Sequence, residues 1–538
     1  MDSPNGLVCF TNCLLPLEDG SLIEQDLWID ERRGVILDAQ VRRYYSLRRS
    51  SHVLTAYVRQ RTFFLRKDRP ATVIDLGGNI LSPGFLDIQI NGAYNFDFSV
   101  FEGDHTAYRE GLKTVAHKIV ETGVTSFCPT IITQEKSLYP TLLNLLRPYS
   151  SATTATVLGW HAEGPFIQMA KRGAHAPQFL LKADEGFESL EKVYGPENLA
   201  VQEDWLMHCE DADGVGVRII TAAPEITGVR LGMEEVVKRG VTFSIGHSMA
   251  TTDIATAAVM SGARLITHLF NAMPQLHHRD PSIIGLLGAS PHLSSSSSPT
   301  SPVSGTFPTS LRRSDSSTSM AKRIMAANGD GGAKATSEAF DELVTPPQTP
   351  ILAPVDSELH LKKGQVTELS FERPFYELIV DGIHSHPNSV RLAYSTFPEN
   401  CILITDGKIT VYQILHLVYS LIIPAMKILD PHLHDGIHEW RDGKRFVKEG
   451  DKLYLEGTNT LAGSVVTLDK CVRNFSRFTG CSLGEAIKCA TYNPARCLGI
   501  ESRKGTLRAG ADADLVVLNR KGYPQSTWVK GKKVWERS

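Results

Sequence analysis

Five polar side chains each follow a short apolar run of this sequence. They are Glu163 in WHAEGPF, His247 in FSIGHS, His268 in LITHLFN, His384 in VDGIH and Asp406 in ILITD. One carboxylate and two imidazoles from separate strands make a ligand set of the kind found in catalytic divalent metal sites, which keep a further position open for water. Asp406 is then available to move the proton of that water. The residue types therefore predict a metal-dependent hydrolytic site.

A single histidine after a strand is more often a hydrogen-bonded structural residue than a metal ligand, so neither His247 nor His268 alone carries this prediction. The set carries it, because four successive units end with suitable chemistry where packing alone would favour apolar residues. Other histidine-rich stretches are expected to be loops, namely PHLHDGIHEW with His432, His434 and His438, and QLHHRDP with His277 and His278.

Eight apolar strand candidates alternate with helical patterns along the middle of the chain. They are FLDIQI, TSFCPTII, TVLGWHAEG, VRIITAAPE, TFSIGHS, ARLITHLFN, YELIVDGIH and CILITD. Near-continuous apolar strands separated by helices are typical of a buried parallel sheet, and eight such units fit an α/β (β/α)8 barrel. In that fold the carboxyl ends of the strands meet at one face, where catalytic groups lie. An open doubly wound sheet is the alternative, but no GxGxxG follows a strand.

The composition is that of a globular protein with no indicated nucleic-acid or membrane surface. The 538 residues are 42% hydrophobic with a net charge of -3, so a large core can be buried and no basic face is indicated. The apolar run at residues 414–426 is shorter than the roughly 20 residues of a membrane span. The nine cysteines form no CxxC pair and the first ten residues lack a signal-peptide pattern. We therefore expect a cytoplasmic protein with a small-molecule partner.

Three segments interrupt the pattern of strands and helices. Residues 294–360 are rich in Ser, Pro and Thr, which predicts a disordered surface insertion. Residues 41–60 are basic and match no β alternation, and residues 407–424 place an apolar stretch directly behind Asp406. Each of these last two segments is either a lineage-specific element or a translated intron, since the codons possible at their ends include splice signals.

Ten motifs of this sequence occur together in one known family. They are PGFLDIQING, HAEGPF, KRGAH, TAAPE, GHS, THLFNAM, DGIH, LITD, TLAGS and NPARCLGIESRKGTLRAGADADLVVLN. The set resembles the N-acetylglucosamine-6-phosphate deacetylases of the amidohydrolase superfamily, and looks like a fungal member. This resemblance implies a barrel with a small β-sandwich built by both chain ends, with the parts at residues 1–80, 81–494 and 495–538. The short alternating strands read in residues 7–75 agree with such a sandwich.

The resemblance also implies a role for each matching residue. Glu163, His247 and His268 match the metal ligands of the family, and Asp406 matches its general acid/base. The positions that contact the sugar phosphate are matched by Ala174, His175, Asn271, Ala272, Arg279, His384, Leu461, Ala462 and Gly463. The implied activity is hydrolysis of N-acetylglucosamine 6-phosphate to glucosamine 6-phosphate and acetate, in amino-sugar catabolism, by a homodimer.

Gln89 and Asn91 of DIQING occupy the place where binuclear amidohydrolases carry HxH. Since an amide is a weaker ligand than an imidazole, we predict one divalent metal ion per subunit, with zinc as the expected metal. Two other functions stay open at this point. One is hydrolysis of a cyclic amide by another type of amidohydrolase, and the other is an inactive or binding-only product caused by the stretch behind Asp406.

Overall fold

The structure is a computed structural model of the chain. It describes residues 3–37, 69–94, 96–201, 206, 216–289, 371–409, 435–439, 445–449, 452–457 and 464–538. The segments at 41–60 and 294–360 lie outside the described residues, as does the part of the third segment from residue 410 onward. What the sequence predicts for these segments therefore stays a prediction.

Short strands precede the barrel and follow it. The first are β1 (Leu7–Thr11), β2 (Leu14–Pro16), β3 (Leu22–Glu24), β4 (Leu27–Asp30), β5 (Val35–Ile36), β6 (Thr72–Asp75) and β7 (Ile80–Pro83). The barrel region contains β8 (Phe85–Ile90), β9 (Gly92–Ala93), β10 (Phe96–Asp97), β11 (Val124–Ile132), β12 (Thr156–Val157), β13 (Trp160–Glu163), β14 (Val217–Ala222), β15 (Thr242–Ile245), β16 (Leu265–Ile266), β17 (Phe375–Ile379) and β18 (Cys401–Ile404). The last are β19 (Lys408–Ile409), β20 (Gly436–Glu439), β21 (Arg445–Glu449), β22 (Lys452–Leu455), β23 (Leu515–Leu518), β24 (Pro524–Val529) and β25 (Lys532–Glu536).

The α-helices of the described residues lie between or after the barrel strands. They are α1 (His105–Lys118), α2 (Tyr139–Leu145), α3 (Phe187–Tyr194), α4 (Val229–Lys238), α5 (Thr252–Met260), α6 (Pro387–Thr396), α7 (Leu468–Thr479), α8 (Leu483–Ala490) and α9 (Tyr492–Cys497). Short 3-10 helices span Ile119–Thr122, Lys136–Leu138, Met169–Lys171, Pro177–Phe179, Pro196–Asn198, Ser282–Gly288 and Pro398–Asn400. None of the described helices is long and apolar enough to cross a bilayer.

The predicted barrel is confirmed, and its strands are the eight apolar runs. The parallel order is β8, β11, β13, β14, β15, β16, β17 and β18. The circle closes between β18 and β8, where Thr405 Oγ1 donates to Asp87 Oδ2 at 2.6 Å and the Asp406 N–H donates to the Gln89 carbonyl at 2.9 Å. Every residue of β11 and β14 is buried, which explains why these strands are near-continuous apolar runs in the sequence rather than alternating ones.

The β-sandwich is also confirmed, and both chain ends build it. One sheet has the order β5, β4, β1, β6 and the other β25, β24, β23, β7, β2, β3. Since β7 pairs with β2 on one side and with β23 on the other, the two ends of the chain share a sheet. Phe10 of the first sheet meets Trp528 of the second edge to face, with ring centroids 5.1 Å apart.

The prediction that PHLHDGIHEW forms a loop is wrong for His438. This residue lies in β20, which pairs with β21 in a three-stranded sheet, and its ring stacks on Phe446 with centroids 5.2 Å apart. Ile437 is exposed and the next residue, His438, is buried, as expected for successive residues of a strand. The pattern is short and lies among Asp and Gly residues, so the sequence did not indicate a strand here. His432 and His434 lie outside the described residues, whereas His277 and His278 lie in an exposed loop as predicted.

Candidate active site

Glu163, His247 and His268 come from three barrel strands, and their side chains meet. Glu163 ends β13, and the two histidines follow the ends of β15 and β16 by two residues. Nε2 of His247 and Nε2 of His268 lie 2.9 and 3.1 Å from Oε1 of Glu163, and 3.1 Å from each other. All three side chains are buried, with their ligand atoms within 4.8 Å of one another. The three predicted metal ligands are therefore brought together.

The outer hydrogen bond of His247 shows that this cluster fits a cation. Nδ1 lies 2.7 Å from the carbonyl oxygen of Lys171, which can only accept, so Nδ1 carries a proton. In the neutral ring Nε2 then presents a lone pair to a carboxylate oxygen, and a divalent ion between two such acceptors makes the arrangement favourable. Although burial alone would raise the pKa of Glu163, the two histidines hold it well below its usual range, so the side chain is a carboxylate.

Asp406 lies beside the cluster, at the closure of the barrel. Asn91 Nδ2 donates to Asp406 Oδ1 at 2.6 Å, and Gln89 Nε2 lies 3.5 Å from the same oxygen and 3.3 Å from Glu163 Oε1. At the place of the HxH motif, the Gln89 amide thus lies between the two carboxylates, and the Asn91 amide binds Asp406. Burial and then the charge of Glu163 raise the pKa of Asp406 above its usual value, while His268 lowers it in part. A raised pKa suits a group that must take up a proton and release it again.

The backbone at these strand ends adopts conformations that are uncommon for residues with a side chain. The φ angles are +48° at His247, +28° at His268 and +45° at Asp406. A positive φ costs a non-glycine residue free energy and is found mainly where function constrains the chain. Three of the four residues proposed for chemistry share this feature.

His175 packs against His247, with ring centroids 4.5 Å apart. The Thr133 backbone N–H donates to His175 Nδ1 at 3.2 Å, so in the neutral ring the proton is on Nε2. The segment that carries His175 is held to His247 at two points, through the Lys171 carbonyl and through a bond from the Gln168 N–H to the His247 carbonyl at 2.9 Å. The KRGAH motif and one candidate ligand thus form one unit.

Three other predicted contact residues lie near these groups in the chain. Ala174 precedes His175 and is half-buried. Asn271 Nδ2 donates to the carbonyl oxygens of His268 and Leu269, both at 3.3 Å. The Ala272 carbonyl accepts the Ser248 N–H at 3.2 Å, which joins the loops that follow the two histidine ligands.

The remaining predicted contact residues form no hydrogen bond to the three candidate metal ligands or to Asp406 within the described part of the chain. His384 is largely buried and its Nδ1 lies 2.6 Å from Asp381 Oδ2. Arg279 is exposed in the loop after β16, and within the described residues its guanidinium makes no ion pair. Leu461, Ala462 and Gly463 lie outside the described residues.

Known proteins resemble this chain over nearly all of its length. The Amidohydrolase family model matches residues 356–534. The chain is 33% identical to the N-acetylglucosamine-6-phosphate deacetylase of Caenorhabditis elegans, over 99% of this chain and 95% of that protein. It is also 33% identical to the Homo sapiens deacetylase, over 98% of this chain and 95% of that protein. The chain belongs to the N-acetylglucosamine-6-phosphate deacetylase family.

Solved structures of proteins with this name share the fold. The deacetylase of Thermotoga maritima matches with a TM-score of 0.62 at 21% identity, covering 98% of this chain and all of that one. A mutant of the Mycobacterium smegmatis deacetylase, solved in complex with N-acetyl-D-glucosamine-6-phosphate, matches with a TM-score of 0.62 at 20% identity, covering 98% of both chains. The resemblance inferred from the ten motifs is thereby confirmed, and the chain is a hydrolase of the deacetylase type.

Four acidic residues beside the site of this deacetylase had no assigned role in the sequence. Glu225 of TAAPE accepts the Ser248 hydroxyl and the Met249 N–H, at 2.7 and 2.6 Å, and so fixes the turn that carries His247. Asp381 of DGIH holds His384. Burial raises the pKa of Asp87 to about 7 and that of Glu377 to about 8. Asp87 and Glu377 could have been found from the sequence, because each is an acid inside an apolar strand, in FLDIQI and YELIV. Buried carboxyl groups are rare without a partner.

Proposed function

We propose that the chain hydrolyses the acetamide of N-acetylglucosamine 6-phosphate, giving glucosamine 6-phosphate and acetate. The observation that carries the proposal is the meeting of Glu163 Oε1 with the two histidine Nε2 atoms beside Asp406. A carboxylate, two imidazoles and a separate acid are the groups that metal-assisted amide hydrolysis needs. The curated relatives, at about one third identity over the whole chain, carry the name of this activity.

Glu163, His247 and His268 would hold one divalent ion, and zinc suits a carboxylate with two imidazoles. When bound, the ion supplies a water of lowered pKa and polarises the acetamide oxygen. Gln89 and Asn91 turn amide hydrogens toward the carboxylates at the place where a second ion would need imidazoles, which supports a single ion.

Asp406 moves the proton in this scheme. Its Oδ1 accepts the Asn91 amide hydrogen, so Oδ2 is the oxygen left to take the proton of the attacking water. The hydroxide portion of that water adds to the carbonyl carbon, and the carbon–nitrogen bond then breaks. Asp406 returns the proton to the leaving amine nitrogen, which completes the balance of one water per acetamide.

His175 supports the same step from the carbonyl side. With Nδ1 occupied by the Thr133 N–H, the neutral ring offers a proton on Nε2. An N–H directed at the acetamide oxygen stabilises the charge that grows there as water adds. We assign this oxyanion role to His175 and recognition of the sugar phosphate to Ala174, Asn271, Ala272, Arg279, His384 and residues 461–463. The homodimer stays a prediction of the family resemblance, and the cytoplasmic location stays a prediction of the cysteine usage and the N-terminal sequence.

The test is acetate release from N-acetylglucosamine 6-phosphate by purified, metal-loaded chain, with glucosamine 6-phosphate measured in parallel. We expect equal amounts of both products and none from a His268→Ala variant. Binding of the sugar phosphate in calorimetry without any acetate would indicate the binding-only alternative. Turnover of a cyclic amide in preference to the sugar phosphate would indicate the other alternative.

A further inference from the structure

Asp381 and His384 form a buried pair within the DGIH turn after β17. Asp381 Oδ1 accepts the backbone N–H groups of Ile383 and His384, both at 2.8 Å, and Oδ2 accepts Nδ1–H of the His384 ring at 2.6 Å. The side chains are only 4% and 8% exposed. Between the two lies Gly382, whose φ of +80° lets the turn bend back on itself.

The chemistry of this pair sets the tautomer of His384. Despite burial, the bond from His384 holds the pKa of Asp381 below its usual value, so the side chain is a carboxylate and only accepts. The proton of the neutral imidazole is therefore on Nδ1, and Nε2 presents a lone pair. His175 shows the opposite arrangement, with an acceptor Nδ1 and a proton on Nε2.

We propose that Asp381 is a positioning residue for substrate recognition, which holds His384 in the Nδ1–H tautomer so that its Nε2 accepts a hydroxyl hydrogen of the sugar. The inference rests on the proposed function, because it takes His384 to contact the substrate. His384 follows the carboxyl end of β17, and Asp406 follows the carboxyl end of the neighbouring strand β18, so both residues lie at the face of the barrel where the reacting groups meet. A sugar ring offers several hydroxyl donors, whereas a phosphate dianion offers none, so an acceptor here favours the sugar portion.

Asp381→Asn is the informative change. The amide oxygen can still accept the two backbone N–H groups, while the amide nitrogen replaces Oδ2 and donates. His384 must then accept on Nδ1 and carry its proton on Nε2, which removes the acceptor from the site. We expect kcat/KM for N-acetylglucosamine 6-phosphate to fall about 10- to 100-fold, with metal content unchanged. Asp104→Asn is the matched control, because Asp104 accepts two backbone N–H groups at the start of α1 and holds no histidine; its kcat/KM should equal that of the unchanged chain.

A double-mutant cycle separates positioning from mere structural support. If Asp381 acts through the ring, adding Asp381→Asn to a His384→Asn variant should lower kcat/KM no further, whereas independent structural effects would add. Nitrogen-15 NMR of labelled histidine should show a protonated Nδ1 and a bare Nε2 for His384, with the two reversed in Asp381→Asn. Additive losses, or a proton on Nε2 of His384 in the unchanged chain, would overturn the proposal. Absence of acetate release by the unchanged chain would instead count against the proposed function.

Discussion

Two clusters of buried charged residues in the described part of the chain differ in how their charges are paired. The mouth cluster consists of Glu163, His247, His268 and Asp406. The junction cluster consists of Arg503, Lys504, Asp512 and Asp514, which join the segment after α9 to β23 of the sandwich. Lys504, Asp512 and Asp514 are 3%, 7% and 5% exposed, so their desolvation is comparable to that of the mouth cluster.

In the junction cluster each carboxylate oxygen has a donor. Lys504 Nζ lies 2.5 Å from Asp514 Oδ2 and 2.9 Å from Asp512 Oδ2, Arg503 binds Asp512 Oδ1, and the Lys530 N–H donates to Asp514 Oδ1. In and around the mouth cluster, by contrast, several buried polar atoms have no partner in the described part of the chain. They are Nδ1 of His268 within the cluster, and Gln89 Oε1, Asn91 Oδ1 and Glu377 Oε1 beside it. Complete pairing serves stability, whereas converging and incompletely paired groups serve binding and proton transfer.

The largest expected effect is removal of a ligand from the mouth cluster. His247→Ala and His268→Ala each leave only two of the three ligands, so we expect metal to be lost and turnover to fall below detection. Elemental analysis after dialysis measures the metal directly. Full occupancy in both variants would remove these residues from the ligand set, and a ratio near two metals per unchanged chain would contradict the single-ion prediction.

Asp406→Asn should slow the chemical step without removing a metal ligand. We expect turnover to fall by about 10²- to 10⁴-fold, the usual contribution of a general acid/base, with metal content near that of the unchanged chain. Steady-state kinetics on metal-loaded protein measures this effect. Unchanged turnover would show that another group moves the proton.

Excision of residues 407–424 should raise the activity of the chain rather than lower it. These residues place apolar sequence directly behind Asp406, and a displacement of about 1 Å at a reacting group can cost about 10²-fold in rate. The Gly407 carbonyl accepts the N–H groups of Asn91 and Gly92, so the residue that follows Asp406 after excision must accept these two bonds. We expect the shortened chain to be much more active, and equal kcat values would show that the segment is tolerated. Sequencing of the transcript tests whether it is an intron.

Lys504→Met should produce the reverse pattern, a loss of stability with little change in kcat. The variant leaves Asp512 and Asp514 buried without their shared cation, which costs about 3–5 kcal/mol in the free energy of unfolding. The pKa of Asp512 is held below its usual value by Lys504 and Arg503 despite burial. Its contribution to stability is therefore present above the unfolded pKa and is lost as pH falls through the folded value.

Urea unfolding of both chains at neutral and at acidic pH measures this difference. We expect the gap between unchanged chain and variant to be widest near neutral pH and to narrow in acid, where protonation removes the uncompensated charge. The raised pKa of Lys504 means that its own contribution persists until the solution is strongly alkaline. A gap that does not change with pH would show that packing, not charge pairing, explains the loss.

The smallest effect is expected for deletion of residues 294–360, joined by a short flexible linker. A segment rich in Ser and Pro buries little apolar area, and the entropy of loop closure changes only slowly with length. We expect kcat and the thermal midpoint to stay near those of the unchanged chain. Loss of the folded state in circular dichroism would mean that the segment packs against the barrel.

The sequence by itself determined the barrel and the identity of the groups that meet at the mouth, and the family resemblance of its motifs implied the sandwich. Near-continuous apolar runs such as TSFCPTII occur because a parallel strand is buried on both faces, and that requirement is visible in the sequence alone. The ends of those runs then identify Glu163, His247, His268 and Asp406, since packing gives no reason for such residues there. A short alternation such as that of Ile437 and His438 is too weak a signal, and there the prediction was wrong.

Only the tertiary structure decided how these groups are held. The tautomer of His175 depends on the backbone N–H of Thr133, which lies 42 residues away in the chain. The Asn91 amide reaches Asp406 across the barrel closure, 315 residues away along the sequence. Hydrogen bonds act over about 3 Å in space, whereas a sequence pattern records neighbours along the chain. The sequence therefore shows which groups are available, and the fold decides which of their atoms donate and which accept.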